Sequence, residues 1–153
     1  MGFRTLSSDV RLDIHCRNSA EAGEITSHLG VRPSAVVDPH GQWIPSWEPM
    51  EWKIWSLDSP IPTEGGDATA RLQALVESIR PFAEKLATLD PKWKRYILVG
   101  YHAAPFTPNG FVGEFDSFNL PAAIARQLGE WNLDLAYEVI WHNHPDWRPP
   151  AGR

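Results

Sequence analysis

The stretch Asp9–Cys16, DVRLDIHC, alternates polar and apolar residues without a break. A period of two marks a strand that turns one face to a core and the other away from it. Val10, Leu12, Ile14 and Cys16 fall on the core side. Arg11, Asp13 and His15 fall on the opposite side, where they meet solvent or a partner. A second stretch, RYILVGYHAA at Arg95–Ala104, is almost continuously apolar, as expected of a central strand covered on both sides. Two strands of such different character place a sheet at the centre of the fold.

Working outward from Cys16, Asn18 or Ser19 can cap a helix over Ala20–Leu29, with Glu21 and Glu24 at its positive end and Gly30 as its stop. Val31–Met50 carries Pro33, Pro39, Pro45 and Pro49, too many for a helix or a central strand, yet it also holds Trp43 and Trp47. It reads as an apolar-studded loop. Glu51–Leu57 then reads as a strand, with Trp52 and Trp55 on opposite faces. Asp67 can cap a helix over Ala68–Ile79, where Leu72, Leu75, Val76 and Ile79 form an apolar stripe. Pro81 kinks or restarts that helix before Phe82, Leu86 and Leu89 extend the stripe.

After Arg95–Ala104, Gly110–Phe118 reads as a strand paired with its predecessor in a hairpin. A helix then starts at Pro121 and ends at Gly129, and Leu133–Trp141 is the last strand. The expected order is β-α-β-α-β-β-α-β, a single α+β domain over 1–153 with its core at 9–141. Its sheet is mixed but mainly antiparallel, helices pack on one face, and the nearest named topology is a ferredoxin-like variant. Residues 142–153 form an extended polar tail.

Composition narrows the functional classes. The chain has 153 residues, 42% hydrophobic and 22% charged, as in folded domains rather than disordered ones. A net charge of −5 and the lack of any Lys/Arg-rich run argue against a nucleic-acid partner. No apolar run approaches the ~20 residues that span a bilayer, and the first residues lack a signal-peptide pattern, so the expected location is cytoplasmic. Cys16 is the only cysteine, which excludes an internal disulfide and suits a small buried residue better than a nucleophile.

ITSHLGVRPS (Ile25–Ser34), the tryptophan-bearing loop before EWKIWSL, the paired helices around Pro81 and LPAAIARQLGEWNLDLAYEV (Leu120–Val139) together resemble an uncharacterised bacterial family, domain of unknown function 4279 (DUF4279). The resemblance runs from Asp9 to about Trp141. It implies the α+β fold and carries over no catalytic residues. The loop Val37–Pro49 departs from it by its proline content, and the tail extends beyond it.

Three groups of residues are candidates for chemistry. His142, His144 and Asp146 have the alternate spacing of a metal-binding loop, since imidazoles two apart on an extended chain project to one side. Only WRPPAGR follows and it contains no ligand, so a polar tail is the simpler reading and no cofactor is expected. Four of the eight tryptophans, Trp43, Trp47, Trp52 and Trp55, fall within thirteen positions. Trp43 and Trp47, with Glu48 and Glu51 nearby, either anchor their loop on the core or form a binding surface. Glu114 and Asp116 on one strand, and Asp13 with His15 on another, are best explained as solvated strand faces.

The leading expectation is a small cytoplasmic binding protein without catalytic activity. It would act by protein–protein recognition, as an immunity or antitoxin-like protein does, through a sheet face or the tryptophan loop. The alternative is a small-molecule- or metal-binding enzyme with a pocket beside the 31–50 loop, using His15, His102 or the tail histidines. A third reading is homodimerisation through an exposed strand edge.

Overall fold

The computed structural model describes residues 5–37, 53–61, 68–103, 106–107, 110–111 and 119–141, with side chains described for 9–37, 53–61, 68–100 and 119–138. In chain order the elements are β1 (Thr5–Cys16), α1 (Ser19–Leu29), β2 (Ala35–Val37), β3 (Lys53–Asp58), α2 (Ala68–Ile79), a 3-10 turn (Arg80–Phe82), α3 (Ala83–Ala87), β4 (Arg95–Ala103), β5 (Phe106–Thr107), β6 (Gly110–Phe111), α4 (Ala122–Glu130) and β7 (Asp134–Trp141).

Five strands form one mixed sheet in the order β2-β3-β1-β4-β7. The pairs β2–β3, β3–β1 and β1–β4 are antiparallel, while β4 and β7 run parallel. β3 and β4 therefore point the same way with β1 inserted between them, the split β-α-β arrangement of ferredoxin-like folds. β4 and β7 form an unsplit unit through α4. The expected α+β domain, its mainly antiparallel sheet and its helices on one face are all present.

Local chemistry explains the helix limits. The Asn18 side chain accepts from the Glu21 N–H at 2.9 Å and caps α1, and Gly30 ends it at φ 69°, a left-handed conformation cheap for glycine. α2 occupies the predicted span, and Pro81 forces the 3-10 turn before α3. α4 runs one residue past Gly129. Its stop is made by Asn132 at φ 57°, with the Leu133 N–H donating to the Leu128 carbonyl at 2.9 Å. Asparagine tolerates that conformation better than most residues.

All the described helices contribute to one core. Ile25 and Leu29 of α1, Leu72, Leu75, Val76 and Ile79 of α2, Leu86 of α3 and Ile124 and Leu128 of α4 join Val10, Leu12, Ile14 and Cys16 of β1, as the alternation required. Trp55 of β3, opposite Ile14, is fully buried in the same cluster, and its indole N–H donates to Thr26 Oγ1 at 3.0 Å. Ile54 and Leu98 are buried too, but on the other side of the sheet and outside this cluster.

Two expectations need correction. The Pro-rich segment contains a short edge strand, β2, because Ala35–Val37 lies between its prolines and adds to β3. Gly110–Phe111 does not pair with β4. Both edges of β4 are taken, by β1 and by β7, so the hairpin forms instead with Phe106–Thr107 as a separate two-stranded ribbon. The rest of the expected 110–118 strand lies outside the described residues, as does the expected tail at 142–153.

Candidate functional site

The face of the sheet that carries no helix among the described residues, its helix-free face, is set by the same alternation that builds the core. β3 brings Asp58, Ser56 and Ile54 opposite Arg11, Asp13 and His15 of β1. β4 brings Leu98 and Tyr96 opposite Arg11 and Asp13, and β7 brings Ala136 and Asp134 alongside them. Four strands thus place a row of charged and aromatic side chains across one face of the sheet, with Asp13, Ser56, Ile54 and Leu98 buried and Arg11, His15 and Tyr96 half-buried.

At its centre, Asp13 is 1% exposed, so its expected solvated position is corrected. Its carboxylate accepts from Arg11 Nε at 3.0 and 3.1 Å and from Ser56 Oγ at 2.6 Å. An ionised carboxylate tolerates such burial because charge-assisted hydrogen bonds replace its water. Burial works against the charge on Arg11. The adjoining Asp13, with Asp9 and Asp58 behind it, outweighs that cost and holds the guanidinium above its ordinary value.

Beside this cluster, His15 Nε2 and the Tyr96 hydroxyl are 2.8 Å apart, their rings edge-to-face at 5.3 Å. His15 is further fixed by its backbone N–H, which donates to the Lys94 carbonyl at 2.8 Å. Burial, then the negative field of Asp13 and Glu138, pushes the Tyr96 phenol up, with Arg11 opposing. Tyr96 is therefore a neutral hydroxyl at physiological pH. A neutral imidazole accepts its proton at Nε2, whereas an imidazolium would donate there.

The pair opens into a surface cleft of about 490 Å³ lined by His15, Lys94, Tyr96, Leu98, Asp134, Ala136, Tyr137 and Glu138. Ala136 is the small residue between Asp134 and Glu138 on the same face of β7, and Leu98 lies beside it on β4. The size suits a small ligand or a protruding side chain. His15 also borders a smaller hollow of about 180 Å³ with Cys16, Arg17, Glu21, Lys92 and Trp93. There Glu21 is fully engaged: it accepts from the Arg17 N–H at 2.7 Å and the Trp93 indole at 3.1 Å, and pairs with Lys92 at 3.7 Å.

Two other features are structural. Burial, then Glu21, pushes the Cys16 thiol up and keeps it protonated, as its small apolar role requires. Arg95 is buried with its guanidinium donating to the Leu89 and Ala87 carbonyls, and burial pushes its pKa down. It ties the end of α3 to β4.

The sequence-derived candidates Trp43, Trp47, Glu48, Glu51, His142, His144 and Asp146 lie outside the described residues, as do Glu114 and Asp116. Of the other histidines, His28 is a structural tie, with Nε2 3.1 Å from the Lys85 carbonyl. Among the described residues, no group of three His, Cys, Asp or Glu side chains is arranged to hold a metal. No helix among them is long and apolar enough to cross a membrane. Of the cleft residues, the sequence had singled out His15. Tyr96, Lys94, Asp134 and Glu138 carried no signal beyond their places on strands or turns.

No family model, curated protein or solved structure matches the chain.

Proposed function

We propose that this chain is a non-enzymatic recognition module that holds a protein partner against the helix-free face of its sheet. The observation that carries this reading is the pairing of that face's central polar groups with one another. Asp13 is engaged by Arg11 and Ser56, and His15 by Tyr96. Asp13 and Ser56 are buried, and their pairing holds the half-buried Arg11, His15 and Tyr96 beside them in fixed positions at little ordering cost, which suits binding.

Charge gives the surface a direction. Asp9, Asp58, Asp134 and Glu138 accompany the Asp13–Arg11 pair and Lys94 on this face, and the chain carries a net −5. Such a surface favours a basic partner and speeds its encounter. An acidic protein that occludes a basic one matches the immunity or antitoxin-like role, and membership of the DUF4279 family is compatible with it. Trp43, Trp47, Glu48 and Glu51 belong to this proposal as a second contact region.

Affinity capture with the wild-type chain, run beside an Asp134→Lys/Glu138→Lys variant, tests the reading. Both substituted residues are exposed, so the variant keeps its fold. A stoichiometric partner retained by the wild type and lost with the variant is expected. A partner held equally by both proteins, or none held by either, overturns the assignment of this face.

A further inference from the structure

We infer that the cleft between β4 and β7 seats a single organic cation, a lysine ammonium or arginine guanidinium projecting from the basic protein partner. This inference rests on the recognition reading above and adds the chemistry of the contact.

Charge is the first argument. The cleft is bordered by two carboxylates, Asp134 and Glu138, against one ammonium, Lys94. Among the described residues, no ion pair or hydrogen bond neutralises either carboxylate. Asp13 lies directly across the ladder from Tyr96 with its charge paired to Arg11, so the balance at the cleft is set by Asp134 and Glu138 against Lys94. Burial, then the field of Asp13 and Glu138, pushes the Tyr96 phenol up, with Arg11 opposing. A bound cation lowers the energy of that field, whereas a bound anion raises it.

The neighbouring hollow supplies an internal comparison. Glu21 there receives Lys92 at 3.7 Å, and the same ammonium lies 4.8 Å from the centre of the Trp93 ring. The chain thus builds one carboxylate–cation–aromatic site and fills it with its own lysine. The larger cleft repeats two of the three parts, carboxylates and an aromatic ring, and among the described residues the bordering Lys94 forms no ion pair with either carboxylate. An ammonium or guanidinium beside the Tyr96 ring completes the set through charge pairing and cation–π attraction.

Shape is consistent with a projecting side chain. The cleft opens to the surface, and at about 490 Å³ it accepts a long side chain together with part of the backbone that carries it. Leu98 and Ala136 provide an apolar stretch for the methylene stem, leaving the charged head to the carboxylates.

The test uses Nα-acetyl-lysine methylamide, Nα-acetyl-arginine methylamide and Nα-acetyl-glutamate methylamide as probes, followed by NMR on the full chain. Either basic probe should give saturable shifts at the Leu98 and Ala136 methyls and the Tyr96 ring, and the acidic probe should give none. Glu138→Gln and Asp134→Asn should each weaken the basic probe several-fold while leaving the remaining spectrum in place. Absence of saturable shifts, an equal response in both variants, or a stronger response to the acidic probe overturns the inference. Failure here with a face-dependent partner still captured removes only the cation seat. A responsive cleft with no face-dependent partner removes the recognition role and leaves a site for a free amine.

Discussion

Leu12 and Asp13 are neighbours in β1 and are 0% and 1% exposed, yet opposite physics keeps them inside. Leu12 belongs to the helix-covered face, where contact with α1, α2 and the flanking strands removes apolar area from water. Such stabilisation has no direction, and many residues of about the right volume serve it. Asp13 belongs to the helix-free face, where burial is tolerated only because Arg11 and Ser56 point at its oxygens. That stabilisation depends on particular atoms. The two faces of one strand thus divide the work: the apolar face sets how stable the domain is, and the polar face sets which groups it presents.

The comparison can be broken from either side. On the apolar face, Trp55→Ala removes the largest fully buried side chain and leaves Thr26 without its indole donor. A loss of about 3–5 kcal/mol in urea unfolding is expected. On the polar face, Asp13→Ala strands the buried Ser56 hydroxyl and leaves Arg11 with only its longer pair to Asp9, and should cost about 1.5–3 kcal/mol. A loss under ~0.5 kcal/mol, typical of an exposed site, would show that the Asp13 network contributes nothing to the fold.

The same division explains what was legible in the sequence. Apolar periodicity and caps are local signals, so α1 with Asn18 and Gly30, α2 over Ala68–Ile79 and the core side of β1 follow from short windows of residues. Alternation identifies the face on which Asp13 lies, but not whether that face is covered, and its burial therefore could not be read. Its partner Ser56 is 43 residues away, and Tyr96 is 81 residues from His15. Those distances are closed only by the strand order β3-β1-β4, which no local pattern encodes. The misplaced hairpin has the same origin, since the occupation of both edges of β4 is a property of the whole sheet.

Tyr96→Phe probes the polar face more finely. Losing the hydroxyl should cost about 0.5–1.5 kcal/mol near neutrality, the net worth of one hydrogen bond. The larger signature is at alkaline pH. The folded state holds the Tyr96 proton above its ordinary value, so over that range the folded chain binds more protons than the unfolded one. Stability contributed by this group is intact below the ordinary tyrosine value of about 10 and falls as pH rises towards the raised folded value. The phenylalanine variant should lack that component in urea titrations above pH 9, taken as an approximate starting point. An identical alkaline decline in both proteins would mean that Tyr96 ionises as an ordinary surface phenol.

The smallest expected effect isolates the field of the cleft from its packing. Glu138 is exposed on β7, and Glu138→Gln should change stability by no more than about 0.5 kcal/mol. It removes one of the two negative charges that hold the Tyr96 phenol up, while burial and Asp13 remain. The Tyr96 titration, followed by NMR at its Cζ carbon, should therefore move down towards the ordinary tyrosine value without reaching it. Direction is what decides the point. A downward shift shows that a rim carboxylate acts through the cleft on a group anchored in the buried network. An unmoved titration would confine the charge of Glu138 to the water outside, and the polar face would then be a structural surface with no field to offer a partner.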